Sequence, residues 1–385
     1  MSDPLVSRMQ PHAETIFATM SALALEHDAI NLGQGFPDTD GPAEVLEAAR
    51  EAIDAGHNQY PPTAGIPALR EAIAAHQARH HSLRPDPADE VLVTSGATEA
   101  IAAAVLGLVT PGDEVVVIEP SYDSYAAVIA LAGGVRRTVP LRFPDLSLDP
   151  QELAAAFSDR TRVVVVNSPH NPTGKVFTPD ELALVADLAR RHDAWVLSDE
   201  VYEHLTFGVP HVPIATRPGM WERTLTVGSA GKFFSVTGWK VGWLTGPAPL
   251  VRAARAVHQY LTFTTASPLQ HAVARALDLG PAPLDELRDS LRDRHDLLVD
   301  GLRGAGLEVR PSQGTYFVIA DAAPLGVEDA VQWCLRLPAD AGVAAVPVSV
   351  FCDDPTATAS LVRFAFCKQV PVLEEACRRL AAFTA

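Results

Sequence analysis

The sequence predicts an α/β fold: a mostly parallel central sheet with helices on both faces, followed by a smaller α+β unit. Three observations lead there. Short runs rich in Val and Ile alternate with Ala- and Leu-rich amphipathic stretches. The runs are continuously apolar, as in strands buried on both faces, rather than alternating. The texture then changes near residue 280, where a long charged helix precedes short strands.

Taken in order, "EVLVTS" (90–95) leads into the helical "EAIAAAVLGLV", and "DEVVVIEP" (113–120) into "SYAAVIALAGG". "TRVVVVNSP" (161–169) precedes "TPDELALVADLARRHD", then come "AWVLSDEVY" (194–202) and "TLTVGSAGK" (224–232). "TPDEL" at 178–182 reads as a helix start, with Thr178 as N-cap, Pro179 in the first helical position and two acids in the first turn. Beyond residue 280, "LDELRDSLRDRHDLLVDGL" is a helix, "TYFVIA" and "LVRFAF" are strands, and "VLEEACRRLAAF" closes the chain as a helix. The expected organisation is a large domain over 41–280 and a small C-terminal domain over 281–385, which the segment 1–40 joins.

Bulk properties narrow the function. The 385 residues, 48% hydrophobic, suffice for a large core. Thirty basic and 47 acidic residues give a net charge of −17, which argues against nucleic acid or an anionic membrane as a partner. The longest apolar run, "IAAAVLGLV", is too short to span a bilayer, and the N-terminus has no stretch of signal-peptide length. The cysteines, Cys334, Cys352, Cys367 and Cys377, show no metal-ligand spacing, so no metal site is expected and a reducing cytoplasmic location is.

In open α/β sheets, ligands bind beyond the carboxyl ends of the strands. Five such ends here carry "TSGATEA", "EPSYDSY", "NSPHNPTG", "SDEVY" and "SAGK". One of these alone would be turn chemistry; five converging on one edge point to a site. Lysine is rare, with only Lys175, Lys232, Lys240 and Lys368, yet two of the four stand eight apart in "SAGKFFSVTGWKVGW". Lysine, unlike arginine, can lose its proton and act as a nucleophile. A phosphate loop of the G-x-x-x-x-G-K-[ST] type fails, because Thr226 and Phe233 stand where Gly and Ser or Thr are required. "GQGFPD" fails as a dinucleotide fingerprint, because Asp38 holds the third glycine position. A pyridine aldehyde phosphate fits what remains. It needs one amine, a carboxylate such as Asp199 at the ring nitrogen, and phosphate donors. Those donors are the N–H groups of Gly96 and Ala97 at a helix start, with Ser229 and Lys240.

These residues carry a resemblance. "INLGQGFPD", "NQYPPTAGIPALREAI", "EPSYDSY", "PHNPTGKVF", "SDEVYEHL", "SAGKFFSVTGWKVGW", "GTYF" and "LVRFAFCK" make residues 30–370 similar to the class I/II aminotransferases of fold type I, which use pyridoxal 5'-phosphate. The resemblance implies that Lys232 binds the cofactor aldehyde and then shuttles protons, with a pKa below that of a free lysine. It implies Asp199 at the ring nitrogen, Asn171 and Tyr202 at the ring hydroxyl, and Tyr122 stacked on the ring. Tyr60 would reach the phosphate of a neighbouring subunit, so a homodimer with shared sites follows. Arg363 would grip the substrate carboxylate, Gly35 would lie against the substrate, and "GTYF" would be core and support the site from behind its contact residues.

Within the family the wording resembles both the kynurenine aminotransferase and glutamine transaminase group and an N-succinyldiaminopimelate aminotransferase branch, with "ATEAIAAAVLGLV" and "SYDSY" favouring the latter. The implied reaction moves an amino group from an L-amino acid to a 2-oxo acid, 2-oxoglutarate foremost. Alternatives are a kynurenine, glutamine or methionine aminotransferase with cysteine-conjugate β-lyase activity, or a regulator on this fold, which would need a DNA-binding domain before residue 30. Two compact connections, 140–150 and 352–364, are candidates to border the pocket.

Overall fold

Thirteen strands run through residues 4–384, the part of the chain that the computed structural model describes. In chain order they are β1 (Ile30–Asn31), β2 (Val91–Thr94), β3 (Glu114–Glu119), β4 (Val135–Pro140), β5 (Thr161–Asn167), β6 (Trp195–Asp199) and β7 (Thr224–Ser229). Then follow β8 (Gly242–Thr245), β9 (Glu308–Arg310), β10 (Phe317–Asp321), β11 (Val343–Ala344), β12 (Val346–Pro347) and β13 (Leu361–Ala365). Residues 1–3 and 385, at the outer ends of the spans 1–40 and 281–385, lie outside the described residues.

The main sheet has the order β2-β8-β7-β6-β5-β3-β4, parallel except for β8, which runs against both neighbours. Its Val/Ile runs are buried on both faces, and the pleat divides them cleanly. Val115, Val117, Val163 and Val165 enter one hydrophobic cluster, while Val116, Ile118, Val164 and Val166 enter another on the opposite face. Ala100, Ala103 and Ala104 of the helix Ala97–Leu108 cover the first face. Leu182, Val185 and Ala189 of the helix Pro179–Arg191 cover the second. That second helix starts as its sequence indicates. Thr178 Oγ1 accepts from the Glu181 N–H, and the Glu181 carboxylate accepts from the Thr178 N–H, closing a capping box.

Two sheet members were not expected. β4, "VRRTVP", is an edge strand whose first four residues alternate between exposed and less exposed; its paired arginines, suited to an edge, mask the apolar signal. β8 lies inside the lysine-bearing segment, where Gly242 breaks the hydrophobic run. Its value is steric: a Cβ on Gly242 would stand 2.6 Å from the Gly96 carbonyl carbon and 2.7 Å from the Ala97 nitrogen.

A second sheet, antiparallel in the order β12-β13-β10-β9, is built from residues 308–365, and β1 pairs with β11. The charged segment forms the helix Ala282–Gly304, and the chain closes in the helix Val370–Thr384. Among the described residues no helix is long and apolar enough to cross a membrane. Register sets the function. Asn167 faces Asp199 across β5 and β6, and Gly242 faces both Ser229 and Thr94, so the strand ends bring their polar residues to one edge.

Candidate active site

That edge opens into a cavity of about 370 Å³. Every site residue expected from the sequence lines it except Tyr60: Gly35, Gly96, Ala97, Tyr122, Asn171, Asp199, Tyr202, Ser229, Lys232, Lys240 and Arg363. Tyr60 projects from the surface, 83% exposed, with its ring edge-on to Phe263.

Lys232 sits in the short helix Ala230–Phe233 that follows β7. Its Nζ donates to the Tyr316 hydroxyl at 2.5 Å, and that hydroxyl donates to the Gly35 carbonyl at 2.5 Å. Burial lowers the Lys232 pKa to about 8, against the pull of Cys367 and Asp199 and with the push of Lys240 and Arg363. Only about a tenth of such an amine is neutral at pH 7, but about half is at pH 8. Tyr316 is a direct partner of that amine, closer to the chemistry than the core and outer support expected of "GTYF"; Phe317 beside it also lines the cavity.

Asp199 ends β6 and is 4% exposed. Burial raises its pKa to about 6, opposed chiefly by the Tyr125 hydroxyl, which donates to Oδ2 at 2.5 Å. An acid so placed gains from any cation brought beside it. The Asn167 amide donates to the Asp199 carbonyl at 2.8 Å and its Oδ1 accepts from the Asn171 N–H at 2.7 Å, so one side chain ties two strand ends together.

Arg363, in the middle of β13, is 1% exposed. Nη1 donates to Asn171 Oδ1 at 2.9 Å and Nη2 to the Gly33 carbonyl at 2.7 Å, while Nε has no partner. The guanidinium lies 4.0 Å from the Phe317 ring centroid and 5.1 Å from that of Phe17. Among the described residues no carboxylate forms an ion pair with it. A buried cation without a counter-ion is costly, and burial lowers even its pKa, to about 10. The cavity before it is suited to an anion.

The anion site at the helix Ala97–Leu108 differs from expectation in one atom. The Gly96 N–H donates to the Thr94 carbonyl at 2.8 Å and so already has a partner within the chain. Gly96 instead supplies a positive φ of 82° that turns the chain into the helix, and a Cβ there would stand 3.1 Å from Lys240 Cε. The Ala97 and Thr98 N–H groups open the helix, with Lys240 and Ser229 beside them. Of the two connections expected to border the pocket, 140–150 lines neither this cavity nor its neighbour, because Leu141, Leu146 and Leu148 fold into the core of the second face. Cys352, from the other connection, lines the neighbouring cavity.

Asn167, Tyr125, Tyr316 and Thr98 were not singled out from sequence. A buried strand-end carboxylate requires donors, and that requirement was the available signal for Tyr125. One amine, one carboxylate, a basic helix start and a lone guanidinium around one cavity match what pyridoxal phosphate and an amino acid need, so the residues fit that cofactor.

Comparison with known proteins agrees. Residues 27–380 match the family "Aminotransferase class I and II". The chain is 53% identical to a probable N-succinyldiaminopimelate aminotransferase of Mycobacterium tuberculosis, over 98% of each chain. The solved structure of the M. tuberculosis enzyme superposes with a TM-score of 0.97 over 98% of this chain and 100% of that one. A methionine aminotransferase of Escherichia coli is 44% identical over 98% of this chain and 99% of its own length. Mouse kynurenine–oxoglutarate transaminase 3 is 39% identical over 96% of this chain and 88% of its own. Lysine, acid and arginine thus stand in a framework shared almost end to end with transaminases of fold type I, and the chain belongs to the class I and II aminotransferases, enzymes that work with pyridoxal phosphate.

Proposed function

We propose that this aminotransferase exchanges the amino group of N-succinyl-diaminopimelate with 2-oxoglutarate. The likeness to the M. tuberculosis enzyme supports the reading, and one observation carries it: a second cavity of about 780 Å³ shares the walls Phe17 and Tyr122 with the first. Its lining includes Arg136 and His12, beside Asp123 and Glu14. A long donor whose far end bears two carboxylates needs such room and such cations; a short amino acid needs neither. Arg136 is held meanwhile by Asp353.

When bound, pyridoxal phosphate supplies an electron sink that allows an amino acid to lose its Cα proton. The chain supplies the rest. Asp199, braced by Tyr125, would serve the ring nitrogen, and Asn171 and Tyr202 the ring hydroxyl. Tyr122 would cover the ring. Ala97, Ser229 and Lys240 would hold the phosphate, with Gly96 shaping the turn. Arg363 forks onto the substrate carboxylate while the Gly35 backbone flanks the substrate. Lys232 Nζ, neutral enough to accept, takes the proton from Cα and returns it, aimed by the Tyr316 hydroxyl.

A panel of amino donors tests the specificity. N-succinyl-diaminopimelate should give the highest kcat/KM. Arg136→Gln should raise its KM about 10- to 100-fold, the range for losing one charged hydrogen bond, and leave methionine unchanged. A wild-type preference for methionine or kynurenine would instead select the second reading, which the aromatic Phe17 and Phe317 in the wall favour; pyruvate release from a cysteine conjugate would add β-lyase activity to it.

The same reading makes the enzyme a homodimer, with Tyr60 serving the partner's phosphate site. Tyr60, Tyr260, Leu261 and Phe263 are exposed near one another in sequence or space, a patch of the kind that marks an interface. Sedimentation should give twice the chain mass; a fully active monomer would remove the shared site. Residues 41–280 act as the cofactor-binding domain, and 281–385 with 1–40 as the smaller one, a division supported by the two sheets and the β1–β11 pair. Four free cysteines suit the cytoplasm.

A further inference from the structure

Behind the active-site helix, histidines collect that the transamination reading does not use. His76, His80 and His81 stand at the end of the helix Pro67–His81, and Glu203 and His204 lie in the turn after β6. His76 Nε2 is 2.8 Å from Glu203 Oε1 and 3.1 Å from His204 Nε2, and His204 Nε2 is 3.3 Å from the same carboxylate oxygen. His80 offers a ring nitrogen within 4.8 Å of those of both His76 and His204. Its Nε2 is buried without a hydrogen-bond partner.

We propose that His76, His80, His204 and Glu203 form a binding site for a divalent transition metal of the zinc type. The triangle of 2.8, 3.1 and 3.3 Å is the first argument. Ligand atoms of a tetrahedral zinc, with bonds of about 2.0–2.1 Å, stand about 3.3 Å apart, so three vertices are close to position before a metal arrives. Hydrogen-bond accounting is the second. A neutral imidazole has one N–H and one lone pair, and here two Nε2 atoms press against each other and against one carboxylate oxygen. A cation at their centre satisfies all three lone pairs at once, and a His80 ring nitrogen, within 4.8 Å of the other two imidazole nitrogens, is in reach as a fourth ligand.

Placement adds two further points. His76 and His80 are four residues apart and therefore on one face of the helix, the spacing by which helices present paired imidazoles to zinc. Glu203 Oε2 accepts from His81 Nε2 at 2.8 Å, an outer partner that fixes the carboxylate as such partners do around bound metals. Imidazole ligands select zinc, copper or nickel over magnesium or calcium. His80 is half-buried at the helix end and leaves a route from solvent. The site also adjoins the catalytic segment: the Phe233 ring, one residue after Lys232, lies 5.5 Å from the His76 ring and 4.7 Å from that of His204.

The test uses tag-free holoenzyme, stripped with a chelator and dialysed against zinc. One zinc per chain should be retained, and zinc should raise the melting temperature because it binds the folded form. His80→Ala and His204→Ala should each weaken binding more than about 100-fold, and His81→Ala about 10- to 100-fold, as outer-partner losses do. His271→Ala, in a stacked pair with the exposed His57, should change nothing. Cobalt should give the intense visible band of a four-coordinate centre in wild type and none in His80→Ala. His80 is half-exposed, so its variant decides the matter even where His204→Ala does not fold. Absence of retained zinc, or equal retention by the folded His80→Ala variant, overturns the proposal.

Discussion

Lys232→Ala should abolish transamination, with a loss in kcat of at least about 10⁴-fold, the upper end of what a positioned acid–base group contributes. No neighbour replaces it. Lys240 belongs to the phosphate end beside Gly96, and the guanidinium of Arg363 does not give up a proton at working pH. Borohydride reduction of wild-type holoenzyme, followed by peptide mapping, should place the cofactor on Lys232 alone; label on another side chain would defeat the assignment. Burial lowers the Lys232 pKa to about 8, and only the neutral amine attacks an aldehyde. The rate at which apoprotein captures pyridoxal phosphate should therefore rise as pH rises through about 8 and then level off. An ordinary lysine, near 10.4, would keep the rate rising past pH 10.

Most of the residues legible in advance stand at or just beyond the ends of parallel strands. Register carries Asp199, Asn171, Ser229 and Lys232 to a common edge once the apolar runs are read as one sheet. The hydrophobic pattern alone locates that edge. Arg363 is different, being in the middle of a strand of the second sheet, and only likeness to the family indicated it. Its neighbours Val362, Phe364 and Ala365 are buried as the pattern predicts; nothing local says that a guanidinium is buried among them.

What escaped the sequence is hydroxyl and N–H direction. Tyr125 and Tyr316 lie within apolar stretches and look like core, and both are core by burial. Their oxygens nevertheless end on Asp199 and Lys232, the two groups whose ionisation matters most. The Gly96 N–H turns inward because a φ of 82° rotates that peptide, a detail that glycine permits without specifying. The histidine cluster escaped for a topological reason, since residues 76–81 and 203–204 meet only through the packing of the helix Pro67–His81 against the turn after β6.

Arg363→Gln should lower kcat/KM for amino acids about 30- to 4,000-fold. The range follows from the 2–5 kcal/mol typical of removing one partner of a buried charge pair, at about 1.4 kcal/mol per factor of ten. Arg363→Lys should recover only part of this, because an ammonium keeps the charge but lacks the fork that meets both carboxylate oxygens. The sharper measurement compares each amino acid with the amine that lacks its carboxylate. Wild type should prefer the amino acid strongly, because the guanidinium is buried against Phe317 and Phe17 with Nε unpartnered. In Arg363→Gln that preference should collapse while the slow reaction of the amine is little changed, since Lys232 and Asp199 are untouched. A variant that still discriminates as wild type does would place the carboxylate elsewhere in the cavity. The cost of holding this cation among aromatic rings without a counter-ion would then have no functional return, which is the outcome that the geometry argues against.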